Sequence, residues 1–444
     1  MSVEARHPSQ IVVLTIVYYS LLLDNVLLTV VVPIVPDYLI TVEAESRTGL
    51  SQNRTLALYE EALGEENSRV GLLLSSKAVV QLVVNPIVGF AAKSVGYTLP
   101  LFVGSVNLLT SSLLFAFGES YLSLFMARSL QGLASACIGV AGMCLVAEYY
   151  PVEKERSRLM GIVLGSVALG VLLGYPFGGF LYDFVGKTAP FLGIAFLSVV
   201  DVGLQLTFLD LKLPSQSCCG KTSWKKLMSD GLVMLTAGAI WLSTSVMAIL
   251  EPCLPLWLMT TIKPEKWELG TVFIPDSIGY LIGTNFFGAI AYKLGGWRVA
   301  IGAMLLVAIS AILIPTASTM EGLILPHLGV GLGIGVIDAA LVPLLATLVD
   351  SRHSANYAVV YALQQTAVAL AYALGPMLGG ELAHLMGFPW LMRCIGIINL
   401  LYCPLLALLA TDYKKPEAQP VANDQVVRYN GLQKYNRFSN ADSD

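Results

Sequence analysis

The chain is a series of apolar runs of about twenty residues or more, separated by short polar breaks. Runs of this length with at most one charge are long enough to cross a bilayer as helices. The pattern predicts an all-α membrane protein with about twelve transmembrane helices. The predicted spans are 11–40, 69–92, 99–118, 121–149, 159–183, 189–210, 231–260, 267–293, 299–318, 322–350, 355–387 and 389–410.

The composition supports a protein of the lipid bilayer and argues against several other classes. Of the 444 residues, 56% are hydrophobic and only 13% are charged, which is too apolar for a soluble globular protein. The net charge of -4 argues against a nucleic-acid partner. No nucleophile–base pair, metal cluster or phosphate loop stands out in the sequence. We therefore expect neither an enzyme nor a bound cofactor.

The predicted spans form two groups of six on either side of a polar linker, and the two halves carry similar motifs at corresponding positions. Spans 2 and 8 both end in a glycine-basic-glycine pattern, at 89–96 and 288–295. Spans 5 and 11 both carry glycines around a proline, at 170–179 and 371–380. Two related halves are typical of a secondary transporter with its site between them. The predicted organisation is an N-terminal segment 1–10, a first half 11–210, a linker 211–230, a second half 231–410 and a tail 411–444.

Lysine and arginine are concentrated in alternate loops, which predicts the orientation, because basic loops remain in the cytoplasm. With an even number of spans, both termini are then cytoplasmic. The loop at 41–68 is acidic and is predicted to be luminal. It contains Asn53-Arg54-Thr55, which makes Asn53 a candidate N-glycosylation site. The basic loops contain Lys93, Lys154, Arg156, Arg158, Lys221, Lys225, Lys226, Lys293, Arg298 and Arg352.

The tail after Lys415 is polar, which predicts a disordered cytoplasmic segment. It contains Tyr429-Asn-Gly-Leu432 and Tyr435-Asn-Arg-Phe438. Both fit the tyrosine-x-x-apolar pattern of membrane sorting signals, which are read as extended peptides. Tyr429 and Tyr435 are therefore candidate contacts for sorting adaptors, and accidental matches to so short a pattern are the alternative.

Three carboxylates interrupt apolar runs: Asp24 in LLLDNVLLTVVV, Glu251 in VMAILEPCLPLW and Asp338 in IGVIDAALVPLL. A charge at the centre of a spanning helix costs roughly 2.5–3.5 kcal/mol. Groups retained at that cost carry protons or hold a cation, and a structural pair with a buried base is the alternative. Lys77 is a fourth intramembrane charge and supplies a candidate base.

Several of these motifs together resemble the major facilitator superfamily. They are the glycine-basic-glycine ends of spans 2 and 8, Arg128-Ser-Leu-Gln131-Gly132 in span 4, and the glycine–proline motif of span 5. The span-5 pattern is associated with proton antiporters of that superfamily. The resemblance implies the major facilitator fold, with spans 1, 7 and 10 lining a central cavity where the three carboxylates converge.

Over nearly the whole membrane region, the chain is similar to the vesicular amine transporter family. The similarity is carried by LLLDNVLLTVVVPIVPDYL, SSKAVVQLVVNPIVG, ARSLQG, VGKTAPFL, LEPCLPLW, YLIGTNFFG and GIGVIDAALVPLLATLVDSRHSANYAVVYA. Within the family, LEPCLPLW, VGKTAPFL, YLIGTN and GFPWLM look more like the monoamine branch than the acetylcholine branch.

The family resemblance implies roles for the intramembrane charges. Asp24 would engage the substrate ammonium, with Asn25 beside it as a polar helper. Glu251 would share cation recognition and proton coupling. Asp338 would bind substrate and act as the main proton-coupling carboxylate, and Lys77 would be a further proton-linked element.

Other positions match the substrate site or the gates of the family. Tyr280 and Tyr372 match substrate-site positions and Trp257 matches a luminal gate, with ordinary packing as the alternative. Arg352 follows span 10 in Asp350-Ser-Arg352-His353, where a charge network would hold the cytoplasmic side closed.

Three positions depart from the family pattern. Gln365 stands where the family has the span-11 aspartate that pairs with the span-2 lysine. Lys77 must then turn to Asp338 or Asp24, or lose its proton. Tyr175 replaces a proline of the span-5 motif, and Thr244 replaces an asparagine of monoamine members. Asp201 and Arg393 lie on the usually peripheral spans 6 and 12, and we expect structural roles for both.

Taken together, the sequence predicts a proton-coupled antiporter that loads monoamines such as serotonin and dopamine into acidic synaptic or secretory vesicles. It would need protonated amine, protons and a vesicular proton pump, with no cofactor. The alternatives are transport of acetylcholine or another organic cation, and a transport-inactive amine-binding paralogue. The sequence leaves the preferred amine, the proton stoichiometry and the effect of Gln365 open.

Overall fold

Twelve long helices make up nearly all of the computed structural model, which describes residues 9–47, 55–211, 224–262, 271–353 and 357–411. No strand occurs in these ranges. The first half contains α1 Gln10–Arg47, α2 Thr55–Val95, α3 Thr98–Phe117, α4 Tyr121–Tyr149, α5 Glu153–Val185 and α6 Thr188–Phe208. The second half contains α7 Gly231–Thr261, α8 Ile274–Leu294, α9 Gly296–Leu313, α10 Met320–His353, α11 Tyr357–Met386 and α12 Phe388–Tyr402.

These helices confirm the predicted all-α membrane architecture. Eleven of those described have an apolar stretch long enough to cross a membrane. The remaining one, α8, has 21 residues and carries Asp276, Asn285 and Lys293, so its apolar character is weaker. A short helix, Trp224–Met228, lies in the predicted linker, and 3-10 turns follow α9 and α12.

Much of the range 41–68, which the sequence predicts as a luminal loop, is helical. Helix α1 continues to Arg47 and α2 begins at Thr55, so helix occupies both flanks of that range. The sequence TLALYEEALGEEN at the start of α2 is rich in alanine, leucine and glutamate, which are strong helix formers. A helix can therefore extend beyond the apolar run that crosses the membrane.

The glycine motifs of spans 5 and 11 lie at equivalent helix crossings in the two halves. A side chain at Gly170 would lie 2.8 Å from the Cβ of Asn25, so α5 packs closely on α1 there. A side chain at Gly375 would lie 2.7 Å from the Cβ of Ala248, so α11 packs in the same way on α7. Because small residues let helices approach closely, these crossings fix α1 and α7, the helices that carry Asp24 and Glu251.

The two halves meet along α5–α8 and α2–α11. The hydroxyl of Ser157 on α5 donates to the carbonyl oxygen of Gly288 on α8, at 3.1 Å. On the other pair, Gly89 of α2 lies against Ala358 and Ala362 of α11. These contacts use the predicted glycine-basic-glycine ends of spans 2 and 8, which places those motifs at the joint between the halves.

Asp201 lies in a buried polar network that ties α6 to α1 and α3. Its carboxylate accepts hydrogen bonds from the hydroxyls of Ser20, at 2.9 Å, and Ser105, at 2.7 Å. The amide of Gln205 donates to it at 2.9 Å. Hydrogen-bond donors from three helices surround this acid, as the expected structural role requires.

Replacing Asp201 with alanine should destabilise the first half. The hydroxyl of Ser105 would lose its acceptor, and an unsatisfied buried group costs about 1–3 kcal/mol. A lower midpoint of thermal unfolding in detergent, measured by scanning fluorimetry, would show this. The exposed Asp183 gives a control, because Asp183→Asn should leave the midpoint unchanged. An unaltered midpoint for Asp201→Ala would contradict the structural role.

Candidate functional site

Polar and aromatic side chains from eight of the described helices meet between the two halves. They include the three carboxylates that interrupt apolar runs, Asp24, Glu251 and Asp338, together with groups that the sequence did not single out. We call this set the central polar cluster. Its members are Asp24, Lys77, Arg128, Ser135, Tyr175, Glu251, Asp276, Tyr280, Asp338 and Tyr372.

Asp24 is 5% exposed and contacts two helices of the first half. The hydroxyl of Ser135 on α4 donates to its Oδ1 at 2.6 Å. The Nζ of Lys77 on α2 lies 4.0 Å from its Oδ2, as an ion pair. With glutamine at residue 365, the sequence left three outcomes for Lys77: pairing with Asp338, pairing with Asp24, or loss of its proton. The structure shows the pair with Asp24. The pair keeps both charges compensated in a region where lone charges are costly.

Glu251 on α7 connects the two halves electrostatically. It lies close enough to interact with Arg128 and Lys77 of the first half and with Tyr372 of its own half. Arg128 is itself held in place, because its Nη1 donates to the side-chain oxygen of Gln131 at 2.7 Å. The motif Arg128-Ser-Leu-Gln131 thus fixes a guanidinium that faces a carboxylate of the opposite half.

Asp338 on α10 is 6% exposed and is held by an aromatic hydroxyl. The Oη of Tyr280 on α8 donates to its Oδ2 at 2.7 Å. Its Oδ1 has no hydrogen-bond partner in the described part of the chain. The predicted site residues Tyr280 and Asp338 are therefore in direct contact.

Tyr372 on α11 lies at the centre of the second-half part of the cluster. It interacts with Glu251, Asp276 and Asp338 of its own half and with Tyr175 of α5. The Tyr175 ring stacks on Phe273 just before α8, with centroids 6.4 Å apart. Tyr175, which stands where the family motif is expected to have proline, therefore adds an aromatic ring where the two halves meet.

Asp276 is a site residue that sequence reasoning missed. It lies in the first turn of α8, is 7% exposed, and interacts with Glu251. The rule that found the other acids, a carboxylate inside an apolar span, applies to it as well. Because it lies near the start of the span, it resembles the acids that are commonly found in the first turn of a helix, where a negative charge is favoured.

The charges of the cluster are segregated between the halves. Both basic groups, Lys77 and Arg128, lie on the first half together with Asp24. The other carboxylates lie on the second half, and they are Glu251, Asp276 and Asp338. A cation that enters between the halves therefore competes with lysine and arginine for carboxylates.

Other predicted site residues lie nearby without joining this set. The amide of Asn25 donates to the carbonyl of Leu21 in its own helix, at 2.8 Å. Gln365 packs against Gly139 of α4, where an added Cβ would lie 3.1 Å from its amide carbon. The half-buried Trp257 stacks on Phe388 of α12, with centroids 5.0 Å apart. Its ring therefore contacts the second half's own helices.

The predicted gating residue Arg352 forms an ion pair within one half. Its Nη1 lies 2.9 Å from the carboxylate of Asp230, the residue that caps α7. This pair joins α10 to the start of α7 and does not itself bridge the halves. At the same end, Nη1 of Arg156 on α5 donates to the hydroxyl of Tyr357 on α11 at 2.9 Å. We call this end, marked by Arg156 and Arg352, the basic end.

Three predicted sites lie outside the described residues. They are the glycosylation site Asn53 and the sorting-signal tyrosines Tyr429 and Tyr435.

Comparisons with known proteins agree with this arrangement. The sequence profile described as Major Facilitator Superfamily matches residues 22–371 and 236–437. The fold is similar to the crystal structure of the human organic anion transporter MFSD10 (TETRAN), with a TM-score of 0.73 and 18% sequence identity. The alignment covers 90% of this chain and 100% of that one. At this identity the likeness concerns the fold alone.

Sequence relatives extend along nearly the whole chain. The chain is 40% identical over 473 residues to the synaptic vesicular amine transporter of Homo sapiens, covering 95% of this chain and 92% of that protein. It is 39% identical to the chromaffin granule amine transporter of Homo sapiens, with coverage of 93% and 90%. It is 36% identical to the vesicular acetylcholine transporter of Torpedo torpedo, with coverage of 90% and 81%.

The ion pair of Lys77 and Asp24 should show strong coupling in a double-mutant cycle. Lys77→Gln alone leaves the buried Asp24 carboxylate without its base, whereas adding Asp24→Asn removes that uncompensated charge. We expect the double variant to unfold at a higher temperature than Lys77→Gln alone, with a coupling of about 0.5–3 kcal/mol. Scanning fluorimetry in detergent measures it, and strictly additive losses would show that the pair makes no contribution.

Proposed function

The chain belongs to the major facilitator superfamily and, within it, to the family of vesicular amine transporters. On that premise we propose that it is a proton-coupled antiporter. It exchanges luminal protons for cytoplasmic monoamines, such as serotonin and dopamine, across the membrane of acidic synaptic or secretory vesicles. The relatives' names support amine as the class of substrate, and the central polar cluster supports exchange for protons.

The observation that carries the proposal is the state of Asp338. One of its carboxylate oxygens is held by Tyr280 at 2.7 Å, and the other has no hydrogen-bond partner among the described residues. A buried carboxylate without a cation favours its neutral form, because burial penalises the charge. It therefore takes a proton when no cation is present and favours the ionised form when an ammonium is close. This reciprocity is the physical basis of exchange.

Attraction between charges of the two halves supplies the second part of the mechanism. A protonated amine entering between the halves meets Asp24, which is paired with Lys77, and Glu251, which lies close enough to interact with Lys77 and Arg128 of the first half. The ammonium must weaken the attraction between Glu251 and these bases in order to bind. Loosening the attraction between the halves is also the step that alternating access requires, in which one half rocks against the other around a fixed site.

The contacts at the basic end identify what must break when this end opens. Ser157 bonds to Gly288, and Arg156 bonds to Tyr357. Both contacts join the first half to the second. Ser157 contributes one hydrogen bond, and Arg156 adds to its hydrogen bond a cation–π contact with the Tyr357 ring, 5.4 Å from the ring centroid. The pair of Arg352 with Asp230 stays within the second half, so we propose that it keeps α7 and α10 together while that half moves as a unit.

A second candidate function is transport of acetylcholine or another quaternary amine. The 36% identity to the acetylcholine transporter of Torpedo torpedo favours it. A quaternary ammonium donates no hydrogen bond, so its site depends on aromatic faces more than on carboxylates. The carboxylates of the second half favour a primary or secondary amine, whose ammonium can donate hydrogen bonds to them. A transport-inactive, amine-binding paralogue is the remaining alternative, motivated by Gln365.

The cellular setting belongs to the same proposal. A vesicular proton pump would supply the gradient, and both termini would lie in the cytoplasm, on the side of the basic end. Asn53 would be glycosylated in the lumen, and Tyr429 and Tyr435 would bind sorting adaptors.

Vesicles that contain the protein should accumulate labelled serotonin or dopamine when their lumen is acidic. A proton ionophore should abolish the accumulation, because the gradient drives the exchange. Asp338→Asn should reduce uptake to background, since the amide neither ionises nor carries a proton. Asp183→Asn, at an exposed acid, is the matched control and should transport normally. If folded, correctly oriented wild-type protein takes up no monoamine with or without the gradient, the monoamine assignment is wrong.

A further inference from the structure

His327 on α10 is a fully buried histidine that uses only one of its two ring nitrogens. Its side chain is 0% exposed, and its Nδ1 lies 3.1 Å from the carbonyl oxygen of Leu323, one turn earlier in the helix. A carbonyl oxygen can only accept, so Nδ1 carries the hydrogen and Nε2 of the neutral ring is an acceptor. This Nε2 has no hydrogen-bond partner among the described residues. The ring therefore has a vacant position for a proton that the proposed exchange does not use.

A pair of aromatic rings links His327 to the opposite half. The ring of Phe273, just before α8, meets the imidazole edge-on, with centroids 6.1 Å apart. The ring of Tyr175 on α5 stacks on Phe273, with centroids 6.4 Å apart. Since Tyr175 belongs to the first half and Phe273 to the second, their stack bridges the joint beside the histidine. We call this stack the aromatic bridge, and it lies at the end of α8 that is farther from the basic end.

The ionisable groups around this part of α10 are acids and tyrosines. They are Asp276 and Tyr280 of α8, Glu251 of α7, Tyr175 of α5, Tyr372 of α11, and Glu321 and Asp338 of α10 itself. By helical register the nearest acid is Asp276, which follows Phe273 by one turn and packs on Gly331, one turn beyond His327. Helix α9, on another face of α10, has no ionisable side chain after Arg298, at its opposite end. The bases of the central polar cluster belong to the first half, so no base of the second half opposes a proton on His327.

We propose that His327 is a proton-binding site that holds this end of the protein open when the lumen is acidic. While the aromatic bridge is intact, a protonated ring would be a buried cation with no acceptor at Nε2. Burial penalises that form, so the bridge closes only over the neutral ring. When the halves separate at this end, water reaches Nε2, and an exposed histidine takes up a proton below about pH 6.5. The proton must leave before the bridge forms again.

The direction of the pH effect follows from this difference in proton binding. The open form binds the proton and the closed form does not, so acid favours the open form. For one proton, the ratio of open to closed molecules rises by at most about tenfold for each pH unit below about 6.5. Above that pH neither form is protonated at His327, and the ratio is constant. The inference rests on the proposed orientation, with the basic end in the cytoplasm, and goes beyond the exchange at Asp338 because it holds for any cargo.

Distances between spin labels on the two halves test the proposal without transport. The labels are attached through Asp183→Cys, at an exposed position near the end of α5, and Glu321→Cys, at an exposed position in the first turn of α10. The chain's own seven cysteines are replaced. Pulsed electron paramagnetic resonance in lipid nanodiscs, at about pH 5.5 and about pH 8, should show a larger long-distance population in acid. His327→Gln and His327→Asn should each give the same distribution at both pH values, because neither amide takes up a proton.

Two control variants separate His327 from the other groups that titrate. His384→Gln removes an exposed histidine in the last turn of α11, at the same end, and should keep the full response. Asp338→Asn removes the exchange carboxylate and should keep the part of the response that His327 supplies. A wild-type distribution that is independent of pH would overturn the proposal, as would an unchanged response in both His327 variants. Complete loss of the response in Asp338→Asn would also overturn it. No amine or gradient is involved, so these outcomes do not depend on the monoamine assignment.

Discussion

The electrostatic attraction between the two halves is the constraint on which the rest of the structure depends. The first half presents Lys77 and Arg128, and the second half presents Glu251, Asp276 and Asp338. In a medium of low dielectric constant such charges are tolerated only when they compensate one another or bind a proton or cation. The interface that holds the halves together is therefore also the place where a cationic ligand is recognised. Binding and the loosening of the interface become one event.

Packing by small residues gives this electrostatic interface its geometry. Gly170 lets α5 approach α1 beside Asn25, and Gly375 lets α11 approach α7 beside Ala248. Each crossing lies within one turn of a carboxylate of the central polar cluster, Asp24 or Glu251. The repeated glycine motifs thus act as spacers that set how far each carboxylate projects toward the other half.

A network of hydroxyls and an amide holds Asp201 away from this interface, which explains how a buried acid in the same membrane protein has a purely structural environment.

Residue 365 is glutamine where the family resemblance implies an aspartate, and the buried lysine that this aspartate would pair with has another partner. Gln365 packs against Gly139 of α4, while Lys77 turns to Asp24, 4.0 Å away. The base is thereby tied to the carboxylate that resemblance assigns to the substrate ammonium. Meanwhile Asp276 adds an acid on α8 that interacts with Glu251. The cluster of this chain is consequently more acidic on the second half than the sequence motifs by themselves indicated.

The sequence by itself determined the helices, the two halves and most of the carboxylates, because spanning length and the cost of a charge in lipid are properties of a single segment. It also led to the family, since the motifs stand in the chain as contiguous runs. Only the tertiary structure decided that Lys77 pairs with Asp24, that Arg352 pairs within its own half, and that Asp276 belongs to the cluster. Those relations depend on which helices pack against each other within each half. The partners stand on different helices, and no local sequence pattern encodes that packing.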